Sequence, residues 1–104
     1  MAKLSRLTPV SGILAQVIRQ YGLEGKFQEY RLLQDWPGIV GETIAQHTRP
    51  EEIRFKKLHL VVDSSAWMQQ LTFFKKEIIE KVNAAFRTEM VRDVRMKVGS
   101  IEER

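Results

Sequence analysis

The stretch LHLVVDSSAWMQQLTFFKKEIIEKVNAAF, from Leu58 to Phe86, decides how this chain folds. Its first residues alternate, with Leu58, Leu60 and Val62 on one side of an extended chain, and this alternation predicts a strand. The segment at residues 63–65, Asp-Ser-Ser, can then cap the start of a helix. Beyond it the apolar residues recur with a helical period and predict one amphipathic helix of about twenty residues. The buried stripe of that helix is predicted to contain Trp67, Leu71, Phe74, Ile78, Val82 and Ala85.

Apolar residues at helical spacing predict three helices before this stretch. The first has Pro9 in its first turn, an apolar face between residues 10 and 21, and its end at Gly22. The second is predicted to stop before Pro37, because the residue that precedes a proline is disfavoured in a helix. A short third helix ends before Pro50.

Two further strands complete the predicted elements. After Pro50 a strand is predicted with Ile53 and Phe55 facing the core, and the chain then turns at Lys56-Lys57 into the next strand. The last strand covers residues 91–98. Its inward residues are predicted to be Val94, Met96 and Val98.

The order helix, helix, short helix, strand, strand, long helix, strand predicts a two-layer α+β domain. The helices are expected to pack on one face of a small three-stranded sheet, and the alternating polar residues leave the other face to water. We expect one domain over residues 9–99, a flexible N-terminal arm over residues 1–8 and a frayed end over residues 100–104.

The composition narrows the classes of function. The 104 residues include 17 basic and 13 acidic side chains, a net charge of +4, and no cysteine. This charge permits a nucleic-acid partner without requiring one. The two histidines lack metal-site spacing, and no residues are spaced for catalysis or for a phosphate-binding loop. We therefore expect no catalytic site, cofactor or metal. Since no apolar run has the length of a membrane span or signal peptide, we expect a cytoplasmic protein without a membrane partner.

The predicted open face of the sheet collects basic residues from different strands. They are Arg54, Lys56, His59, Arg95 and Lys97, extended by Lys57 at the hairpin tip and flanked on the long helix by Lys75 and Lys76. Such a strip can neutralise several phosphates of a nucleic acid. A solvated, charged face that discourages edge pairing explains the same pattern, and the sequence leaves both interpretations open.

Other features have both a functional and a structural interpretation. The tetrads at residues 22–25 and 38–41 have the G-x-x-G form of the KH loop, but their acidic or apolar middle residues favour a structural role. The tryptophans could stack on bases, although core packing explains both of them better. An adaptor that binds protein and no nucleic acid is the second hypothesis, with Phe73, Met68 and Trp36 as its contact surface.

Two segments of the chain resemble the DciA family of bacterial replicative-helicase operators. They are WPGIVGETIAQHTRP, from Trp36 to Pro50, and LHLVVDSSAWMQQL, from Leu58 to Leu71. The family pattern has an aromatic-led helix break, a Val-Gly turn and a His-Thr-x-Pro ending. A strand and a helix start with serine, alanine and tryptophan follow. The matching positions here are Trp36, Val40, Gly41, His47, Thr48, Pro50, Leu60, Val62, Ser65, Trp67 and Leu71, and Asn83 and Gly99 also fit.

The resemblance extends over about residues 10–99, nearly the whole chain. It implies a KH-like domain, no enzymatic activity, binding to single-stranded or forked DNA, and delivery of the replicative helicase onto single strands. Because KH-like folds accept either polymer, an RNA-binding role stays open beside the DNA-binding one.

Overall fold

The structure is a computed structural model that describes residues 12–102. In chain order its elements are helices α1 (Gly12–Gln20), α2 (Glu24–Val40) and α3 (Glu42–Ala45), strands β1 (Thr48–Arg54) and β2 (Lys57–Val62), helices α4 (Ser65–Thr72) and α5 (Lys75–Phe86), and strand β3 (Asp93–Val98). The predicted α+β class, with helices packed on a small three-stranded sheet, is confirmed. The predicted arm at residues 1–8 and the helix start near Pro9 lie outside the described residues.

The chain divides into two compact units between Tyr30 and Arg31. In the first unit, the described residues form α1 and the first turns of α2. Gly22 ends α1, as predicted, with a φ of +67°, and the amide of Leu23 donates to the carbonyl of Ile18 at 2.8 Å. This is the left-handed helix end that glycine adopts without strain. Within this unit an apolar groove is lined by Leu14, Ile18, Leu23, Lys26 and Phe27.

The second unit is built on the sheet, whose strands lie in the order β1-β2-β3. β2 is central because it pairs antiparallel with β1 and parallel with β3. Leu58, Leu60 and Val62 of β2 are at most 1% exposed and pack against the helices. We call the side of the sheet that carries them the covered face. The buried core cluster consists of Leu32, Trp36, Ile39, Val40, Leu58, Leu60, Val62, Leu71, Ile78, Val82, Val91 and Val94.

Helix α2 passes through Pro37 instead of stopping before it. A proline inside a helix costs about 3 kcal/mol, because it removes a hydrogen bond and its ring crowds the preceding turn. The burial of Trp36, Ile39 and Val40 offsets this cost. The Trp36 indole N–H also donates to the Thr48 hydroxyl at 2.9 Å. Tertiary packing thus overrides the local preference, and the helix ends at Val40, just before Gly41, whose φ is +96°.

The long helix predicted after β2 is two helices, α4 and α5, which meet at Phe73 and Phe74. Ser64 caps α4 as predicted, since its hydroxyl accepts the amide of Trp67 at 3.2 Å. The break exposes Phe74, which the helical stripe predicts to be buried. It allows Leu71 on α4 and Ile78 on α5 both to be buried to 1% exposure.

Asn83 connects the end of α5 to the chain that enters β3. Its side-chain amide donates to the carbonyl of Val91 at 2.9 Å, and its side-chain oxygen accepts the amides of Met90 and Val91, both at 2.9 Å. The helical pattern places Asn83 on the polar side of the helix, whereas in the structure it is half-buried. The Asn83 side chain thus provides hydrogen-bond partners for backbone groups of the irregular connection between α5 and β3.

Candidate nucleic-acid interface

The side of the sheet opposite the covered face carries none of the described helices of the second unit, and we call it the open face. The strand register places three rows of residues across it. In the order β1, β2, β3, the rows are Arg54, Lys57 and Asp93; Glu52, His59 and Arg95; and Arg49, Val61 and Lys97. Four of the predicted binding residues, Arg54, Lys57, Arg95 and Lys97, therefore come together on this face.

Arg49 joins the open face because of a bulge in β1. The register shifts between Pro50 and Glu52, so that Glu51 is the extra residue. A regular alternation from Arg54 backward would place Arg49 towards the helices. The bulge inverts this alternation, so that Pro50 is buried and Arg49 lies opposite Val61. Sequence reasoning missed Arg49 because it started the strand after Pro50.

Three of the basic residues on this face have acidic neighbours. Arg54 contacts Glu52 at 3.2 Å, Arg95 contacts Asp93 at 3.1 Å, and Lys97 contacts Glu51 at 3.5 Å. All three basic side chains are more than half exposed, so each pair contributes only about 0.2–1 kcal/mol to stability. An incoming phosphate can replace the carboxylates at little cost. Between the pairs lies a shallow depression of about 160 Å³, lined in part by His59.

The C-terminal segment after β3 borders one end of the open face. The guanidinium of Arg49 donates to the carbonyl of Ser100 at 3.2 Å, and the amide of Gly99 donates to the carbonyl of Val62 at 2.9 Å. Val61 is 2% exposed there although it lies on the open face. A Cβ at Gly99 would lie 3.2 Å from Val61, so glycine allows this close approach. The C-terminal segment therefore lies close to Val61, whereas Lys97 in the same row stays exposed.

That turn consists of Phe55 and Lys56, one residue earlier than predicted. Both have positive φ, 53° and 60°, which is characteristic of a two-residue type I′ hairpin. Phe55, predicted to face the core, is instead 87% exposed. Lys56 is predicted to lie on the open face, but it sits in the turn and its ammonium donates to the carbonyl of Glu89 at 2.7 Å. Left-handed backbone costs roughly 1–2 kcal/mol for a side chain other than glycine.

Lys75 and Lys76, the predicted flanking residues, lie at the start of α5. This helix packs through Ile78 and Val82 into the core on the covered face. Lys75 is half-buried and Lys76 is exposed. The strand register does not bring these two lysines together with the open face.

Several residues that carry the family resemblance have structural roles. Thr48 is buried and passes the hydrogen bond from Trp36 on to the carbonyl of Ile44, at 2.8 Å. His47 stacks on Trp67 with 4.1 Å between ring centroids and contacts the Asp63 carboxylate at 2.9 Å. These contacts join the start of β1 to the start of α4 and explain why a histidine and a threonine stand there.

The G-x-x-G tetrads occupy two different settings. In the second tetrad Ile39 and Val40 are buried in the core, which confirms the structural interpretation. The first tetrad joins α1 to α2. Within residues 12–102, no cluster of His, Asp or Glu side chains is arranged to hold a metal ion. No helix in that range has the length and apolar character that a bilayer crossing requires.

The fold and this face define a small α+β protein with a basic sheet surface. A family model described as "Dna[CI] antecedent, DciA" matches residues 9–96. The chain therefore belongs to the DciA family, as its sequence motifs predict.

Relatives of the chain include UPF0232 proteins of Rhodococcus, Mycobacterium and Corynebacterium species. The one from Rhodococcus jostii is 31% identical over 88 residues, and one from Mycobacterium tuberculosis is 26% identical over 88 residues. Each of these matches covers 85% of this chain and 47% of the relative. A UPF0232 protein of Corynebacterium glutamicum is 42% identical over 60 residues, which is 54% of this chain and 34% of that protein. The chain thus spans about half the length of the first two relatives.

Proposed function

We propose that this protein is a non-catalytic DNA-binding accessory factor of chromosome replication. In this proposal its open face holds single-stranded or forked DNA while the protein acts with the replicative helicase. Membership of the DciA family supports the association with replication and with the helicase. The observation that carries the DNA-binding part is the strand register, which gathers Arg54, Lys57, Arg95 and Lys97 on the open face of the sheet. The KH-like fold that the family resemblance implies stays a prediction.

The mechanism is an exchange of ion partners. In the free protein Glu51, Glu52 and Asp93 neutralise part of the basic face. When a strand approaches, its phosphates replace these exposed carboxylates and release the counterions condensed on the nucleic acid. Lys57 has no salt bridge to any of residues 12–102 and needs no exchange. Lys56 beside it, and Lys75 and Lys76 on α5, would add only peripheral charge.

The test is the salt dependence of binding to a labelled single-stranded oligodeoxynucleotide, measured by fluorescence anisotropy. With about four phosphate contacts, log affinity should fall against log salt with a slope near −3. The double variant Arg54→Glu with Lys97→Glu should bind more weakly and lose about 1.4 from the magnitude of that slope. Its matched control is Lys26→Glu with Lys81→Glu, which changes the net charge equally but lies on α2 and α5.

Equal losses in the two double variants would show that net charge alone drives binding, and the open-face site would be wrong. Unlabelled duplex DNA and RNA of the same length serve as competitors. Preference for single-stranded or forked DNA is the expected result. Stronger competition by RNA would replace the DNA proposal with the RNA-binding alternative.

The adaptor hypothesis retains one supporting observation. Of its three predicted contact residues, Trp36 is buried, Met68 packs against the core, and only Phe73 is exposed, at 79%. Phe74 beside it is 42% exposed, so the junction of α4 and α5 offers a small apolar patch. Absence of oligonucleotide binding even at low salt, together with salt-insensitive binding to the purified helicase, would favour the adaptor.

A further inference from the structure

We propose that Phe55, at the tip of the β1–β2 hairpin, is a base-stacking residue. Its ring would stack on a nucleobase of the same strand whose phosphates contact the open face. The inference rests on the proposed function, because it needs a nucleic acid on that face. It adds a contact to the bases themselves, which phosphate contacts from Arg and Lys do not provide.

The fold gains almost no stability from a phenylalanine at position 55. The side chain is 87% exposed, so it contributes almost nothing to the core. Its backbone has a φ of 53°, in the left-handed region that bulky residues rarely occupy. A two-residue turn of this kind is best served by Asn-Gly or Asp-Gly. An aromatic residue that is both exposed and held in an unfavourable conformation points to a role outside the fold.

The hairpin tip is held firmly in place. The carbonyl of Lys56 accepts the amides of Arg92 and Asp93, at 2.8 and 3.3 Å, and the Lys56 ammonium donates to the carbonyl of Glu89. These bonds join the turn to the segment that enters β3. A ring on a fixed turn loses less conformational freedom on stacking than a ring on a mobile loop.

The surroundings of Phe55 favour a nucleobase over an apolar protein surface. Its chain neighbours are Arg54 and Lys56, and Lys57 follows, so the ring stands in a run of positive charge. Arg54 and Lys57 form the row of the open face that adjoins the turn. An aromatic ring beside a basic groove is the arrangement with which proteins hold single strands, where bases stack on rings and phosphates follow the charges.

Phe73 provides a comparison within the same chain. It is also an exposed aromatic residue, at 79%, but its φ of −80° is ordinary and it lies at the junction of two helices. It therefore lacks the backbone strain of Phe55, and its immediate chain neighbours are Thr72 and Phe74 instead of two basic residues. Phe73→Asn is the matched control for Phe55→Asn.

The experiment compares two oligonucleotides of equal length and charge, an oligothymidylate and a fully abasic strand. Binding of each is measured at about 50 and 200 mM salt. Phe55→Asn should bind the oligothymidylate about tenfold more weakly than the unmodified protein, with the salt slope unchanged, because stacking releases no counterions. On the abasic strand the two proteins should bind equally. Phe55→Tyr, which keeps a ring, should restore oligothymidylate binding, and Phe73→Asn should bind like the unmodified protein.

Asparagine tolerates the left-handed conformation, so Phe55→Asn should keep the melting temperature of the unmodified protein or raise it. If Phe55→Asn binds oligothymidylate as tightly as the unmodified protein, the stacking inference is overturned while the open-face proposal stands. An equal loss on the abasic strand would also overturn it, since the effect would then not involve bases. If the unmodified protein shows no salt-dependent binding to either strand, the proposed function fails and the inference fails with it.

Discussion

On the covered face of the sheet, Leu58, Leu60 and Val62 are at most 1% exposed. On the open face of the same sheet, Arg54, Arg95 and Lys97 are more than half exposed, each beside one carboxylate. The covered face is held by close packing, which specifies both the residue type and its volume. The open face is held by exposed ion pairs that exchange readily with solvent ions. Stability therefore resides on one face, and the other is left available for binding.

The largest expected effect comes from one substitution on each face of β2. Leu58→Ala should lower the free energy of unfolding by about 2–5 kcal/mol, because it removes buried methyl groups and leaves a cavity. His59→Ala, the next residue along the chain, should change it by no more than about 0.5 kcal/mol. Denaturant unfolding monitored by circular dichroism measures both. Similar losses in the two variants would mean that the faces do not differ as described.

A smaller effect is expected where the helical layer is attached to β3. Asn83→Ala should destabilise the protein by about 2–3 kcal/mol, because it leaves the half-buried amides of Met90 and Val91 without their acceptor. Glu80→Ala, at an exposed position one turn earlier on α5, is the control and should have little effect. The same denaturant series reports both. If Asn83→Ala lowers the free energy of unfolding no more than Glu80→Ala does, the connection is stabilised in some other way.

The smallest effect concerns Glu89, whose backbone carbonyl anchors Lys56 near the hairpin tip. A hydrogen bond from Arg92 and the positive charge of that side chain hold the pKa of Glu89 below its ordinary 4.5, and Lys56 adds to the lowering. A lowered pKa means that the charged form stabilises the fold. This contribution is present above pH 4.5 and disappears as the pH falls through the lowered value.

Glu89→Gln should therefore be slightly less stable than the unmodified protein at neutral pH and equally stable in strong acid. Thermal unfolding at a series of pH values measures the difference. In an Arg92→Gln background the effect of Glu89→Gln should largely vanish, since the main partner is then gone. A difference that stays constant across the pH series would contradict this account.

Much of the covered face could be predicted from the sequence because its signals are local. The alternation at Leu58, Leu60 and Val62, the cap at Ser64 and the apolar spacing of Leu71, Ile78 and Val82 all appear in the structure. Of the seven Lys and Arg residues predicted for binding, Arg54, Lys57, Arg95 and Lys97 also reach the open face. The alternation is regular along β2 and β3 and at the end of β1 after the bulge. The family motifs are also visible in the sequence, because each is a short run of residues close together in the chain.

The failures of prediction fall where distant contacts compete with local preference. The sequence predicts that Pro37 ends a helix, but the burial of Trp36 and its hydrogen bond to Thr48 offset the cost of the proline, and α2 continues to Val40. The break at Phe73 could not be read from a continuous apolar stripe. The alternation places Phe55 in the core only if the strand continues through it, whereas the chain turns there.

By itself the sequence determined the α+β class, the buried face of β2 and the family, because periodicity and motif order are properties of neighbouring residues. Only the tertiary structure decided which charges share a surface. The bulge at Glu51 reverses the alternation of β1 and brings Arg49 to the open face, and the two-residue turn places Phe55 in water. Both depend on the pairing of separate strands, whose register is set by the packing of the whole second unit.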